Sequence, residues 1–255
     1  MSDVPSPAER IRIVLVGTQH PGNLGSAARA MRTMGLTRMV LVAPEKKPDF
    51  DTTSMAAGAE ALVLGAPVFA TLEDAVADCR LVLGCTARSR RIALEELLPR
   101  KAGERVVAAA GEGADVALVF GRERTGLDNH ELQLCHAAVH IPSDPDFSSL
   151  NLAAAVQVLA YELRMAMLSA EPTPASDADA TAEPPASHAE LEGFFAQLGE
   201  TLDAIDFHKG RTPESALRKL RRIFLRADMN TREVRLMRGV LADAQRMARL
   251  AGGQS

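Results

Sequence analysis

A glycine-rich segment with polar and basic side chains, GTQHPGNLGSAAR at residues 17–29, directly follows an apolar run. Its glycines do not have the spacing of a dinucleotide-binding loop, and no Gly-Lys-Ser/Thr triplet follows to form a nucleoside-triphosphate loop. The segment is typical of a strand-to-helix turn whose backbone N–H groups bind an anion, with Arg29 on the helix. The alternative is a tight turn in which Asn23 only caps the helix and Arg29 is a surface residue.

A second charged segment, VFGRERTGL at residues 119–127, also begins at the end of an apolar run. In α/β proteins, ligands bind at the carboxyl edge of the sheet, so Arg122, Glu123 and Arg124 are candidate site residues. A surface loop with an Arg–Glu ion pair of little energetic value is the alternative interpretation.

A third segment, IPSDPDFSSLNLAAA at residues 141–155, leaves an apolar run, passes through two prolines and enters a helical pattern. Helix capping accounts for one of the polar residues Ser148, Ser149 and Asn151, but not for all three. A fourth segment, GCTARSRR at residues 84–91, adds three arginines after another run. Polar segments after several apolar runs predict that strand ends converge in one crevice.

Short apolar runs alternate with helical patterns through the first two thirds of the chain, which predicts an α/β fold around a mostly parallel sheet. The predicted strands are Ile11–Val16, Met39–Ala43, Leu81–Cys85, Val116–Phe120 and Ala137–Ile141. One helix is predicted over Leu24–Met34, capped by Asn23 and ended by Gly35 in a left-handed conformation. Another is predicted over Leu152–Leu168, where apolar residues at spacings of three and four form one core-facing stripe.

The last third of the chain has a different composition. Residues 169–190 are rich in Pro and Ala and carry acidic side chains but no Lys or Arg, which predicts a solvated linker between a domain at 9–168 and a helical extension at 191–251. Between residues 209 and 249 this extension has twelve Lys and Arg against four Asp and Glu. The excess favours a polyanion as partner, and a solvated helical face is the alternative. Helix starts are predicted at Thr212-Pro213 and, as a capping box, at Asn230–Glu233.

The composition excludes several classes of protein. Of the 255 residues 47% are hydrophobic, which is enough for one sizeable core, and the formal net charge of −4 excludes a uniformly basic coat for nucleic acid. Three cysteines give no disulfide framework, and the spacing of Cys135, His136 and His140 matches no usual metal pattern, so no metal is expected. With no Trp, one Tyr and eight Phe, there is little aromatic surface on which to stack successive bases.

The lengths of the apolar runs indicate where in the cell the protein is located. No uninterrupted run reaches the roughly 18 apolar residues that span a bilayer, and the first residues lack the charged and apolar regions of a signal peptide. We therefore expect a cytoplasmic protein without a membrane partner.

The motifs occur together in an order that resembles a known family. GNLG with Arg29, then FGRE with GL at 126–127, then IP with SLNL at 149–152 match the three signature motifs of the SPOUT RNA 2′-O-ribose methyltransferases of the SpoU/TrmH type, over about residues 9–168. The TARSR stretch at 86–90, the linker and the basic tail are similar to the TrmJ subgroup, which methylates tRNA at anticodon-loop nucleotide 32. The resemblance implies a sheet with a C-terminal trefoil knot, a homodimer, S-adenosylmethionine as cofactor, and tRNA rather than DNA as partner.

The resemblance also implies a role for individual residues. The catalytic residues would be Arg29, Asn23, Glu123, Ser149 and Asn151, with Arg29 expected to matter most. The cofactor would be held by Cys85, Thr86, Ala87, Gly121, Ile141, Ser148, Ser149 and Leu150. RNA phosphates would be bound by Arg88, Arg90, Arg122, Arg124, Arg218, Arg221 and Arg222.

Arginine is a poor base at neutral pH, so we expect Arg29 to hold the target phosphate or the developing alkoxide rather than to remove the proton directly. Asn23 and Ser149 would orient the reacting hydroxyl. Two alternatives stay open, a methyltransferase acting on rRNA and a non-catalytic RNA-binding or assembly protein on the same scaffold. The joint presence of the motif residues favours the enzyme, and the helical tail favours tRNA.

Overall fold

A computed structural model describes residues 6–87, 94–170, 185–209 and 212–252. The chain divides into two compact units, Met1–Thr173 and Pro174–Ser255. The strands of the first unit are β1 (Ile11–Val16), β2 (Arg38–Val42), β3 (Val68–Phe69), β4 (Leu81–Cys85), β5 (Glu95–Leu97), β6 (Val116–Phe120) and β7 (Ala137–Val139). They form one parallel sheet in the order β3-β2-β1-β6-β4-β7-β5. The predicted α/β class with a mostly parallel sheet is confirmed.

Helices cover both faces of this sheet. The helices of the first unit are α1 (Pro7–Arg10), α2 (Pro21–Thr33), α3 (Phe50–Ala56), α4 (Glu60–Leu64), α5 (Leu72–Val76), α6 (Pro99–Gly111), α7 (Asn129–Gln133) and α8 (Leu152–Ser169). Residues of α2, α6 and α8 share one buried cluster with Ile11, Ile13 and Leu15, whereas residues of α5 and α7 share another with Val14 and Val16. The sheet is therefore the middle of three layers.

Burial on both faces explains why the central strands are visible in the sequence. Such strands read as continuous apolar runs, and β1, β4 and β6 have the predicted bounds to the residue. β2 is displaced by one residue, and β7 ends at Val139 rather than Ile141. β3 and β5 have only two and three residues, and both include exposed positions, so no apolar run in the sequence predicts them.

Helix α2 begins earlier than predicted and corrects the role of one residue. Pro21 occupies its first turn and His20 its N-cap position, so Asn23 lies inside the helix, and the prediction that Asn23 caps it is wrong. Proline favours this start because its fixed φ suits the helix and its missing N–H is not needed there. Gly35 has φ +82° after the helix, which confirms the predicted left-handed stop.

Two close contacts set the position of α2. A Cβ atom on Gly25 would lie 2.1 Å from the Thr52 carbonyl oxygen, so the backbones of α2 and α3 touch where only glycine fits. The Thr52 hydroxyl donates to the Pro21 carbonyl oxygen at 3.1 Å. These contacts fix the amino end of α2 beside the carboxyl edge of the sheet.

Helix α8 matches its predicted range to within one residue and begins at the N-cap Asn151. Its stripe of Leu152, Val156, Leu159 and Leu163 is buried, as predicted. By length and composition α8 is also apolar enough to cross a membrane. The burial of its stripe against the sheet and α2 accounts for this apolar character within the core of a folded domain.

Charges at the amino edge of the sheet are paired with one another. Arg12 is buried and its guanidinium forms ion pairs with Asp78 and with Asp115, the latter at 2.6 Å. Arg38 also reaches Asp115, at 3.1 Å. This edge is held together by internal salt bridges, and the three sequence motifs lie at the opposite edge.

The second unit is helical, with α9 (His188–Ala204), α10 (Pro213–Ala227) and α11 (Thr231–Gly252) among its described residues. The Phe194, Leu198 and Leu202 side chains of α9 are buried against residues of α10 and α11. Thr212 and Pro213 begin α10 as predicted, although the Thr212 side chain makes no capping hydrogen bond. The predicted capping box at the start of α11 is present, with Asn230 and Glu233 bonding each other's backbone N–H at 2.9 Å.

Candidate active site

The loop after β6 closes tightly on itself. The Gly126 N–H donates to the Arg122 carbonyl oxygen at 2.8 Å. A Cβ atom on Gly121 would lie 2.1 Å from the Leu127 backbone nitrogen, so the close approach requires glycine. The closed loop fixes the position of Glu123 at the carboxyl edge of the sheet.

The Glu123 carboxylate accepts three hydrogen bonds from the segment that follows β1. The backbone N–H groups of Gln19 and His20 donate to it at 3.0 and 3.2 Å, and the Asn23 side-chain amide donates at 2.9 Å. Partial burial alone would raise the pKa of Glu123, but these hydrogen bonds to the ionised form outweigh burial and hold the pKa below its usual value. Glu123 is therefore an acceptor that organises its neighbours, and it is not a general acid at neutral pH.

Asn151 connects the third motif to the same group. Its Nδ2 donates to Asn23 Oδ1 at 3.1 Å, while its Oδ1 accepts the Ala153 N–H at 2.9 Å as the cap of α8. One residue thus caps a helix and orients a neighbouring amide. The hydrogen-bonded chain from Glu123 through Asn23 to Asn151, called the polar relay below, joins the β6 loop, α2 and α8.

Arg29 and Ser149 make no hydrogen bond to the polar relay. Arg29 is exposed on α2, borders a depression of about 270 Å³ with Ala153 of α8, and has no ion pair within the described ranges. Ser149 is exposed two residues before Asn151, and its side chain makes no hydrogen bond to any described residue. These two side chains are therefore available to a ligand, whereas the three groups of the relay already bond one another.

The strands β6, β4 and β7 are neighbours and bring the proposed cofactor segments to one place. Cys85 is in register with Phe120 of β6 and with Val139 of β7. Gly121 and Thr86 therefore follow side by side, and the Thr86 N–H donates to the Val139 carbonyl oxygen at 2.9 Å.

The other cofactor candidates lie on the loops that continue from these strands. Ile141 is half-buried and packs against the same core cluster as Cys85. Ala87 is exposed, and Ser148 and Leu150 are half-buried in the loop before α8. The cofactor candidates at the ends of β4 and β6 are therefore neighbours in the sheet. The remaining candidates lie on the loop after β4 and on the loop between β7 and α8.

The chemistry of these segments fits S-adenosylmethionine. The candidate residues themselves carry no carboxylate and no cation, and burial raises the pKa of the Cys85 thiol to about 12, so this thiol stays neutral. Neutral backbone N–H and C=O groups suit the base and ribose of a nucleoside, and a ligand with a sulfonium group needs no phosphate-binding cations. The same pKa argues against Cys85 as a nucleophile, because the thiolate is the reactive form.

The arginines at this edge differ in their surroundings. The Arg122 guanidinium forms an ion pair with Glu131 at 3.0 Å, and its side chain lies over Gly17, where a Cβ atom would come within 2.8 Å of it. Arg122 is thus engaged inside the protein, which does not favour the RNA contact predicted for it. Arg124 is exposed and has no ion pair in the described part of the chain. Arg88 and Arg90 lie outside the described residues.

The predicted RNA-binding residues of the second unit also separate into two kinds. Arg221 forms an ion pair with Glu192 and stacks over the Phe195 ring, with 4.5 Å between guanidinium carbon and ring centre. Arg218 and Arg222 are exposed on α10. Only these latter two present their guanidinium groups mainly to solvent.

The residues that hold Glu123 and Arg122 in place are not among those predicted from the sequence. The backbone N–H groups of Gln19 and His20 carry no side-chain signal, so no motif could identify them. Glu131 was identifiable in part, because Asp128 and Glu131 form a capping box at the start of α7. Its second role, the ion pair with Arg122, depends on the fold.

The cluster Cys135, His136 and His140 does not converge in space on one ion. His136 Nδ1 accepts the Val82 N–H at 3.1 Å, and His140 Nδ1 lies 3.4 Å from the Thr86 carbonyl oxygen. Among the residues that the structure describes, no group of three potential metal ligands is present.

The chain is similar in sequence to known RNA methyltransferases. Residues 10–161 match the SpoU rRNA Methylase family, and residues 189–253 match the C-terminal domain of the tRNA methyltransferase TrmJ. A tRNA (cytidine/uridine/adenosine-2′-O-)-methyltransferase TrmJ from Pseudomonas aeruginosa is 46% identical over 94% of this chain and 96% of its own length. A tRNA (cytidine/uridine-2′-O-)-methyltransferase TrmJ from Klebsiella pneumoniae is 47% identical over 93% of this chain and 97% of its own.

A solved structure of a TrmJ protein has the same fold. The crystal structure of TrmJ from Z. mobilis superposes with a TM-score of 0.75 at 33% identity, covering 91% of this chain and 97% of that one. The matched regions include both units, and the relatives are matched over nearly their whole length. The chain therefore belongs to the SpoU methylase family and, within it, to the TrmJ tRNA methyltransferases.

Proposed function

We propose that this protein transfers a methyl group from S-adenosylmethionine to a ribose 2′-oxygen of tRNA, at anticodon-loop nucleotide 32. The polar relay carries the proposal, because it joins residues of all three motifs at the carboxyl edge where α/β proteins bind ligands. The Pseudomonas and Klebsiella relatives are named for 2′-O-methylation of tRNA and differ in the bases named. A shared reaction with varied bases is what a site that acts on the sugar would allow.

The reaction is a displacement in which the ribose oxygen bonds to the methyl carbon as the carbon–sulfur bond breaks. The electron pair of that bond stays on sulfur as a neutral thioether, and the hydroxyl proton passes to a water, directly or through a transient guanidine. S-adenosylmethionine, when bound, supplies the methyl group on a positively charged sulfur. The protein must hold the hydroxyl oxygen and the methyl carbon in line and at contact distance, which removes much of the entropic part of the barrier. Its own residues supply this positioning and the electrostatic stabilisation of the oxygen.

We assign to Arg29 the stabilisation of the negative charge on the reacting oxygen or its neighbouring phosphate. It is exposed and unpaired within the described residues, and its planar guanidinium gives two parallel N–H donors. Asn23 is held by Glu123 on one side and by Asn151 on the other, so its amide has a defined orientation. Ser149 offers a free hydroxyl in the same loop as the cofactor candidates.

The tRNA is bound mainly by arginines outside the relay. Arg124 lies next to Glu123 at the catalytic edge, and Arg218 and Arg222 lie on α10 of the extension. Each phosphate that these groups neutralise releases counterions, so tRNA affinity falls as the salt concentration rises. Arg88 and Arg90, in the stretch that resembles the TrmJ subgroup, complete the proposed set of phosphate contacts on this unit.

We further propose that the enzyme is a cytoplasmic homodimer with a C-terminal trefoil knot, as its family resemblance implies, and that it acts on neither DNA nor membranes. Light scattering should give twice the chain mass of 27.2 kDa. A monomeric mass at the concentrations used for activity would contradict the dimer.

The main test incubates the purified protein with labelled S-adenosylmethionine and with bulk tRNA or rRNA, and maps the methylated nucleotide by nuclease digestion and mass spectrometry. We expect label on a ribose 2′-oxygen at nucleotide 32 of tRNA. Label on a base nitrogen, or on rRNA alone, would contradict the proposal. No transfer to any RNA would favour the non-catalytic alternative.

Arg29→Lys tests the proposed catalytic role. Lysine keeps the charge but loses the bidentate fork, and one charge-assisted hydrogen bond of about 1.5–3 kcal/mol corresponds to a roughly 10- to 150-fold lower kcat. Arg32→Lys, at an exposed position one turn further along α2, is the matched control and should retain activity. Wild-type kcat in Arg29→Lys would contradict the assigned role.

A further inference from the structure

A phenylalanine ring projects from the loop that carries the third motif. Phe147 is 85% exposed, and it lies two residues before Ser149 and four before the relay residue Asn151. Single exposed apolar residues are common on protein surfaces, so exposure alone carries no conclusion. The position of Phe147 inside a catalytic motif is what distinguishes it from the other exposed apolar side chains.

Hydrogen bonds order the loop backbone from which this ring projects. The Phe147 N–H donates to the Asp144 carbonyl oxygen at 3.1 Å, and the Asp146 N–H donates to Asp144 Oδ1 at 2.8 Å. The Ser143 hydroxyl closes the turn by donating to the Ser148 carbonyl oxygen at 3.0 Å. Because the turn is already ordered, the backbone loses little further entropy when the ring binds a flat partner.

The charges of the loop restrict what that partner is. Asp144 and Asp146 are both exposed, and the described loop from Ile141 to Leu150 has no cation. Two carboxylates repel phosphate, so this loop does not serve as a contact for the RNA backbone. What it offers to a nucleic acid is the apolar face of the Phe147 ring.

An unpaired nucleobase has the matching chemistry. Sequence-specific and loop-directed RNA-binding proteins commonly stack unpaired bases on aromatic side chains, and every base has a face that stacks. The adenine of the cofactor is the other flat ring in the reaction, and the affinity of a Phe147 variant for the cofactor distinguishes the two. The low aromatic content of the chain makes a single well-placed ring more informative, because there is no general stacking surface.

We propose that Phe147 stacks on an unpaired base of the tRNA loop and thereby holds the target ribose at the relay. The inference rests on the proposed methyl transfer to tRNA and adds the element that recognises the nucleotide by its base face. Stacking is tolerant of base identity, which agrees with the different bases in the names of the two TrmJ relatives.

Kinetics of the full-length variants test the proposal. Loss of one base–aromatic stack corresponds to a roughly 5- to 150-fold lower kcat/KM for tRNA in Phe147→Ala. Phe147→Leu keeps an apolar side chain without the aromatic face and should be nearly as impaired, whereas Phe147→Tyr should retain activity. Leu64→Ala removes a comparably exposed apolar group at the end of α4 and is the matched control. Wild-type kcat/KM in both Phe147→Ala and Phe147→Leu would overturn the proposal.

Fluorescence provides a direct readout because the chain contains no tryptophan. In Phe147→Trp the new indole is the sole Trp, and saturating unmodified tRNA should quench its emission by stacking, whereas Leu64→Trp should show no quenching. Unchanged emission of Phe147→Trp at saturating tRNA would overturn the proposal.

Two further measurements test whether the Phe147 ring contacts the cofactor or a second copy of the chain instead of a base. A weaker affinity of Phe147→Ala for S-adenosylmethionine in calorimetry, by the same factor as the loss in kcat/KM, would assign the ring to the cofactor and overturn the proposal. A change of Phe147→Ala in sedimentation mass would assign the ring to a second copy of the chain and likewise overturn it. Absence of methyl transfer by the wild-type protein would instead refute the proposed function.

Discussion

Replacement of Glu123 by glutamine tests whether the carboxylate organises the site. The side chain keeps its shape, but it now has one acceptor oxygen and one amide group that donates. In the native protein one carboxylate oxygen accepts from His20 and Asn23, and the other accepts from Gln19. The glutamine amide must therefore face at least one N–H group that it cannot accept from.

The geometry sets the size of the effect. One hydrogen bond to a charged acceptor is lost, worth about 1.5–3 kcal/mol, and the other two become bonds to a neutral acceptor. Glu123 is only half-buried, so water replaces part of what is lost. We expect Glu123→Gln to lower the free energy of unfolding of the first unit by about 2 kcal/mol at pH 7. We also expect a lower kcat, because Asn23 loses a charged partner.

The effect should depend on pH with a definite sign. The folded pKa of Glu123 lies below its unfolded value, so its contribution is fully present above about pH 4.3 and is lost as the pH falls through the folded pKa. The difference in stability between wild type and Glu123→Gln should therefore be constant from pH 7 to about pH 5. It should shrink at lower pH, where protonated Glu123 resembles glutamine.

Urea unfolding followed by tyrosine fluorescence measures this difference in stability for the first unit of the chain. Tyr161 is the sole Tyr of a chain without Trp, and it lies in α8 of the first unit. Glu104→Gln is the control, because Glu104 forms only an exposed pair with Lys101 worth about 0.5 kcal/mol or less. Equal stability of Glu123→Gln and wild type at pH 7, or a difference that persists unchanged at pH 3.5, would refute the reasoning.

Three further outcomes follow from individual contacts. Gly25→Ala should destabilise the first unit by about 3 kcal/mol or more in thermal unfolding, because its Cβ would meet a backbone carbonyl oxygen of α3, whereas Gly22→Ala, with only an ordinary contact at 3.7 Å, should cost far less. Arg124→Gln should reduce the log–log salt slope of tRNA binding by about 0.7–0.9, and Arg122→Gln should leave that slope unchanged while lowering stability. Cys85→Ala should retain methyl transfer, and the native Cys85 thiol should resist alkylation at pH 8, because its pKa is about 12.

The centre of the sheet could be predicted from the sequence, but its edges could not. β1, β4 and β6 are buried on both faces, so their apolar runs carry the information about their bounds. The edge strands β3 and β5 are partly exposed and very short, and they exist because a neighbouring strand offers hydrogen bonds to them. No local pattern encodes such a strand.

The candidate site is likewise predicted only in part, because the motifs identify its residues but not the contacts that they make in the fold. The motif pattern predicts Asn23, Glu123 and Asn151 at one sheet edge, and the structure joins them by hydrogen bonds. The pattern gives the wrong first turn for α2, where Pro21 sets the helix start and Asn23 is left for another partner. The family resemblance implies an RNA contact for Arg122, but the motif itself shows neither its ion-pair partner Glu131 nor its position over Gly17.

The position of β7 in the sheet has a consequence for biosynthesis. β7 lies between β4 and β5, although both precede it in the chain. On the ribosome, the facing edges of β4 and β5 therefore stay unpaired while the segment from Leu97 to Ala137 is made, which takes roughly 2–8 s at about 5–20 residues per second. A nascent chain in this interval presents open strand edges, and this is when a chaperone would protect it most effectively from pairing with another chain.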